Sequence, residues 1–86
     1  MQKPETGKVA LLSGCSSGIG RATASALAKS GWRVVATGRN LEALGDIDAA
    51  LKLTMDVDDE ASARAAISSA HERLGDIDLL VNNAGF

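Results

Sequence analysis

The stretch Ser13-Gly14-Cys15-Ser16-Ser17-Gly18-Ile19-Gly20 marks a point where the periodicity of the chain changes. Before it, residues 8–13 (KVALLS) form a short apolar run ending at a glycine. That is the pattern of a strand buried on both faces. After it, Ile19, Ala22, Thr23, Ala26 and Leu27 recur at helical spacing until Gly31 closes the segment. A buried strand that enters an alanine-rich helix through three glycines has few ways to pack, because the helix must lie close against the sheet it has just left.

The same alternation runs to the end of the chain. Residues 32–37 (WRVVAT) read as a β-branched strand. Asn40 is a good N-cap for a brief helix through Leu44, closed by Gly45. Residues 50–55 (ALKLTM) read as an edge strand, because Lys52 and Thr54 alternate with apolar neighbours. Asp58 caps the next helix, with Asp59 and Glu60 in its first turn. Its stripe is Ala63, Ala66, Ile67, Ala70 and Leu74, and Gly75 ends it. Residues 76–82 (DIDLLVN) make a fourth strand. The order βαβαβαβ with short connections predicts an α/β fold, a Rossmann-type doubly wound parallel sheet with helices on its faces. No linker or low-complexity tract divides residues 1–86, which read as one domain or part of one.

Composition narrows the function classes. A net charge of −2 supplies no basic field for nucleic acid or an anionic membrane surface. The apolar runs are too short to span a bilayer, and the polar N-terminus shows no signal peptide. A single cysteine makes no internal disulfide and fits a reducing compartment, so the expectation is a soluble cytoplasmic chain. His71 is the lone histidine, without a second ligand at metal-binding spacing, and reads as a surface residue. Cys15 reads as a small filler with no base partner, and Trp32 as a packing residue.

The glycine stretch carries the chemistry. A helix N-terminus presents unpaired N–H groups and the positive end of a dipole, which together hold a phosphate. Glycine lets a ligand approach the backbone, and Ser16 and Ser17 add hydroxyl donors. The spacing is GxxxGxG rather than GxGxxG, so the dinucleotide rule applies here only by mechanism.

SGCSSGIG, followed by ATGR after the second strand, MDV after the third and NNAG after the fourth, resembles the short-chain dehydrogenase/reductase family. The resemblance covers the whole chain but only the N-terminal part of the family's domain. Ser13 stands where the family usually has threonine, and the hydroxyl is kept. The resemblance implies that Ser13, Gly14, Ser16, Gly18, Ile19 and Gly20 surround a pyrophosphate, with Ser17 beside them. It implies that Asp56 bonds the adenine amine with Val57 packing nearby. Asn82, Asn83, Ala84 and Gly85 would run beside the adenosine ribose, Asn82 also tying neighbouring strands together.

Arg39 decides the expected cofactor. A site that prefers NAD places an acid near the end of the second strand to bond the ribose 2′-hydroxyl. Here the residues are Thr37-Gly38-Arg39-Asn40, and a guanidinium pairs with a 2′-phosphate instead. The expectation is NADP over NAD, with Arg21 or Thr37 assisting and Ser17 lacking the basic group that some NADP-preferring relatives carry.

Family members use a Tyr-x-x-x-Lys pair and an upstream serine, the tyrosine acting as general acid or base. This chain has no tyrosine, and no catalytic residue is assigned. It ends just past NNAG, so the sheet is expected to stop after the fourth strand. That strand's apolar edge would then be left open to self-association. The expected function is the N-terminal NADP(H)-binding segment of an oxidoreductase that reduces carbonyls or oxidises alcohols in its full-length form, the chain alone being inactive. The alternatives are a non-catalytic nucleotide-binding module and a self-associating structural fragment.

Overall fold

The computed structural model describes residues 7–83. Its elements are β1 (Val9–Ser13), α1 (Gly18–Lys29), β2 (Arg33–Gly38), α2 (Leu41–Leu44), β3 (Leu51–Thr54), α3 (Glu60–Leu74) and β4 (Leu79–Asn82). The strands form one parallel sheet in the order β3-β2-β1-β4. This is the doubly wound Rossmann-type arrangement expected from the alternation. Ala84 and Gly85 lie outside the described residues.

Strand pleating sends alternate side chains to opposite faces, and β1 shows the consequence. Ala10 and Leu12 join Cys15, Ala24, Val34, Ala36, Leu44 and Ile47 in one core layer, under α1 and α2. Val9 and Leu11 join Val35, Met55, Ala66 and Ala70 in the other, under α3. Both layers are needed because β1 is apolar on both sides, and all five of its residues are buried.

Chain order reverses about β1, since β2 and β3 lie to one side and β4 to the other. Ligands in open α/β sheets bind outside the carboxyl ends of the strands at such a switch point. The glycine loop leaves β1 there, and Asn83, just after β4, lies beside it.

Three expectations needed correction, one being Ile67, which was placed in the apolar stripe of α3 but is 38% exposed. The buried face of α1 is built on Gly20 and Ala24, with Leu27 and Ala28 packed beside them; of the expected stripe Leu27 is kept, while Ile19, Ala22 and Ala26 are exposed. Ile19 is 74% exposed. The cause lies at Gly20, where an added Cβ would sit 2.9 Å from the Cys15 Cα and closer still to the Gly14 carbonyl oxygen. The helix approaches the loop through its smallest residue, which a search for large apolar side chains passes over. The cap of α3 is Asp59 rather than Asp58, its carboxylate accepting from the N–H groups of Ala61 and Ser62.

Other elements agree closely with their sequence. Asn40 caps α2 and accepts from the Glu42 N–H at 2.9 Å. Gly31, Gly45 and Gly75 all have positive φ where the helices end. β3 is an edge strand, as its alternation predicts. β4 is shorter than its apolar run because Asp78 closes its N-terminal end: its N–H donates to the Val9 carbonyl at 2.8 Å, and its carboxylate accepts from the Val9 N–H at 2.9 Å.

Candidate functional site

Ser13 ends β1, and Gly14, at φ 65°, turns the chain out of the sheet. Cys15 returns inward. Its N–H donates to the Thr37 carbonyl at 2.9 Å, fastening the loop to β2, and its Sγ contacts the Leu12 carbonyl at 3.4 Å. Burial pushes the Cys15 thiol above its ordinary range, which keeps it protonated and unreactive. The side chain fills the layer beneath α1, as its reading as a small filler expects.

Ser17 then caps α1. Its hydroxyl accepts from the Gly20 N–H at 3.1 Å and donates to the Gly14 carbonyl at 3.0 Å. Ser17 therefore spends its donor on the turn itself, whereas the sequence suggested a donor available to a ligand. Ser16 is exposed, its Oγ facing Gly38 at the end of β2. Gly18 differs from Gly20: a Cβ placed on Gly18 would meet nothing within 4 Å. Internal packing thus requires glycine at position 20 but not at position 18, where the backbone borders open space.

The electrostatics of the helix end match that geometry. N–H groups in a first helical turn have no intrahelical acceptor. α1 has no acid in its first turn, so its positive dipole end is uncompensated.

Ser13 is buried, and its hydroxyl donates to the Asn82 Oδ1 at 2.9 Å while accepting from the Asn83 N–H at 3.0 Å. It sits beneath the loop and clamps β1 to the end of β4, which agrees with Asn82 as a tie between strands. Asn83 then lies beside Ser17, Gly18 and Ile19 around a concavity. Its side-chain Nδ2 is buried and has no hydrogen-bond partner among the described residues. An orphaned donor of this kind is costly unless something outside the chain satisfies it. The open backbone at Gly18, the uncompensated helix end and this donor together fit the phosphate and ribose of a dinucleotide.

The turn after β3 carries Asp56 and Val57, the residues expected at the adenine. The Asp56 N–H donates to the Ser62 hydroxyl at 3.0 Å, and the Asp56 carboxylate accepts from the Asp58 N–H at 2.9 Å. Val57 packs against the α3-side core. Arg39, just past β2, reaches across to this turn, with Nη2 2.9 Å from the Asp58 Oδ2 and Nε 3.6 Å from the Asp56 Oδ1. The proximity of Arg39 and Asp58 was not legible in the sequence, since only the β2–β3 pairing brings the two turns together.

Neither residue expected to assist Arg39 is placed to do so. Arg21 binds the Asp46 carboxylate at 2.8 Å and the Ala43 and Leu44 carbonyls at 3.4 Å, joining α1 to the end of α2. Thr37 is buried and donates to the Leu12 carbonyl at 2.7 Å. His71 is exposed, 2.9 Å from the Asp76 carboxylate, and no metal-ligating cluster exists among the described residues. Trp32 packs against the α1-side core.

Comparison with known proteins agrees with this geometry. The family model for short chain dehydrogenases matches residues 8–86. Serine 3-dehydrogenase of Rhizobium radiobacter is 40% identical over 80 residues, which cover 87% of this chain and 32% of that enzyme. The structure of 3-ketoacyl-(acyl-carrier-protein) reductase from Brucella melitensis, complexed with NADH, superposes with a TM-score of 0.83 at 42% identity, covering 93% of this chain and 35% of that one. A variant of actinorhodin polyketide ketoreductase, solved with NADPH, superposes with a TM-score of 0.86 at 34% identity, covering all of this chain and 36% of that one. The chain belongs to the short-chain dehydrogenase family of oxidoreductases. It spans about a third of the length of each of these three relatives.

Proposed function

We propose that this chain is the NADP(H)-binding segment of a short-chain oxidoreductase, the nicotinamide of the bound cofactor giving a hydride when the whole protein reduces a carbonyl and taking one when it oxidises an alcohol. The observation that carries the reading is the α1 N-terminus: no acid in its first turn, open space over Gly18 and the orphaned Asn83 donor beside it. Gly14, Ser16, Gly18, Ile19 and Gly20 surround the pyrophosphate, held in shape by the Ser17 cap and by Ser13 beneath. Asp56 takes the adenine amine with Val57 against the ring, and Asn82, Asn83, Ala84 and Gly85 follow the adenosine ribose. Arg39, standing where an NAD site has an acid, takes the 2′-phosphate.

The chain contains no tyrosine, so by itself it performs no hydride transfer. Its single cysteine suits the reducing cytoplasm, and no helix among the described residues is long and apolar enough to cross a membrane. The test is a titration of wild-type chain and Arg39→Glu with NADPH and NADH. NADPH should bind more tightly to the wild type, and the substitution should remove that preference by about 1–3 kcal/mol. Equal affinities in both proteins would overturn the assignment of NADP.

A second reading, self-association, is favoured by the exposure of Leu79 (36%) and Leu80 (59%) on β4, whose outer edge has no partner strand among the described residues. Size-exclusion at increasing concentration should then shift to larger species, and Leu80→Lys should reverse the shift.

A further inference from the structure

Arg39 does not stand alone at the end of β2. The Nε–Nη2 edge of its guanidinium, one of the two edges that offer a pair of parallel donors, faces the Asp58 and Asp56 carboxylates. The turn that presents them is held from within. Asp56 accepts from the Asp58 N–H, the Asp59 N–H donates to the Asp56 carbonyl at 3.0 Å, and the Ser62 hydroxyl accepts from the Asp56 N–H. The Asp56 carboxylate and the turn backbone are therefore fixed from within, while the Asp58 carboxylate is held by Arg39 itself.

We propose that Asp58 is a specificity-determining residue, competing with the 2′-phosphate for Arg39 and setting how strongly this chain separates NADP from NAD. The inference rests on the assignment of Arg39 made above and adds its opponent. A phosphate approaching the Nε–Nη2 edge displaces the Asp58 carboxylate and then remains close to its negative charge. A 2′-hydroxyl does neither. Asp56 has a backbone partner of its own and less exposure, 44% against 78% for Asp58, so Asp58 is the group that must yield. Because both members of the pair are largely exposed, the competition weakens the preference without abolishing it.

The experiment measures binding of 2′,5′-ADP and 5′-AMP to the wild-type chain, Asp58→Asn, Arg39→Gln and the double variant, each checked for folding by circular dichroism. Asparagine keeps the shape of the turn and its N–H. The ratio of the two affinities should rise about 3- to 10-fold in Asp58→Asn, at low salt, through tighter binding of 2′,5′-ADP alone. The rise should shrink in the Arg39→Gln background, where no cation remains to be withheld.

A ratio that is unchanged or lower in Asp58→Asn, while Arg39→Gln abolishes the preference, overturns the role of Asp58 and leaves that of Arg39 intact. A ratio unchanged in Arg39→Gln overturns both. Folded protein that binds neither probe also overturns both.

Discussion

β1 and β4 lie side by side in register, Leu11 opposite Leu80 and Leu12 opposite Val81, and both are rich in aliphatic residues. Every residue of β1 is buried, whereas Leu79, Leu80 and Asn82 of β4 are exposed. The difference lies in what surrounds them. β1 has a strand on each edge and a helix layer on each face, while β4 has β1 on one edge and partial cover. Val81 packs against the α1-side core, and Leu80 borders an apolar groove with Ile67 of α3. An apolar run thus states that a strand is suited to burial, and its neighbours decide whether it is buried.

The sharpest way to break this comparison is to shorten one leucine on each strand. Leu12→Ala should cost about 2–5 kcal/mol, from lost burial and the cavity left in a filled layer. Leu80→Ala should cost less than about 1 kcal/mol, because little of that side chain leaves water on folding. Urea titrations followed by circular dichroism give both values. Equal costs would mean that β4 is covered in solution, as self-association requires.

The glycine loop offers a second contrast, between two glycines of the same turn. Gly20→Ala forces a Cβ against the backbone of Gly14 and Cys15 and should cost about 1–3 kcal/mol. Gly18→Ala meets open space and should leave stability unchanged or slightly higher. If Gly18 borders the cofactor, that harmless substitution should weaken NADPH binding. Unimpaired binding to a stable Gly18→Ala chain would remove the ligand from this part of the loop.

The contrast also separates what could be read in the sequence from what could not. Strand and helix order was legible because turn glycines and caps are local signals: Asn40, Gly31, Gly45 and Gly75 all act where the pattern places them. The phase of α1 was not legible, because Gly20 packs by lacking a side chain and leaves no apolar mark. The cap of α3 was displaced by one residue because Asp58 and Asp59 are equivalent in sequence, and Arg39 claims the first. Of the candidate site, the loop and its helix were visible in the spacing of glycines. The internal duties of Ser13, Ser17, Arg21 and Thr37 depend on contacts between separate elements, which no local pattern encodes.

Ser13 is where the buried and exposed strands are tied, so its removal sharpens the comparison. Ser13→Ala removes the hydroxyl that serves both Asn82 and Asn83, and should cost about 1–2 kcal/mol. The loss should be concentrated in β4. Hydrogen exchange at Leu80 and Val81 should accelerate more than at Leu11 and Val35. Uniform acceleration across the sheet would show that β4 opens only with the rest of the domain.

Cys15 gives the smallest expected effect and tests the buried layer at the base of the site by pH. Its thiol is pushed up by desolvation, so the folded chain holds the proton more tightly than the unfolded chain. As pH rises past the ordinary thiol value of 9.0, the unfolded state loses its proton first, and stability falls until the folded thiol also ionises. The contribution is fully present at neutral pH and disappears only in the alkaline range. The slope attributable to this one group cannot exceed about 1.4 kcal/mol per pH unit. Urea midpoints at pH 7, 9 and 10 for wild-type chain and Cys15→Ala should therefore differ most at pH 7 and converge above pH 9. Parallel curves would place the Cys15 sulfur in contact with solvent, and the loop would then be open to water from beneath as well as above.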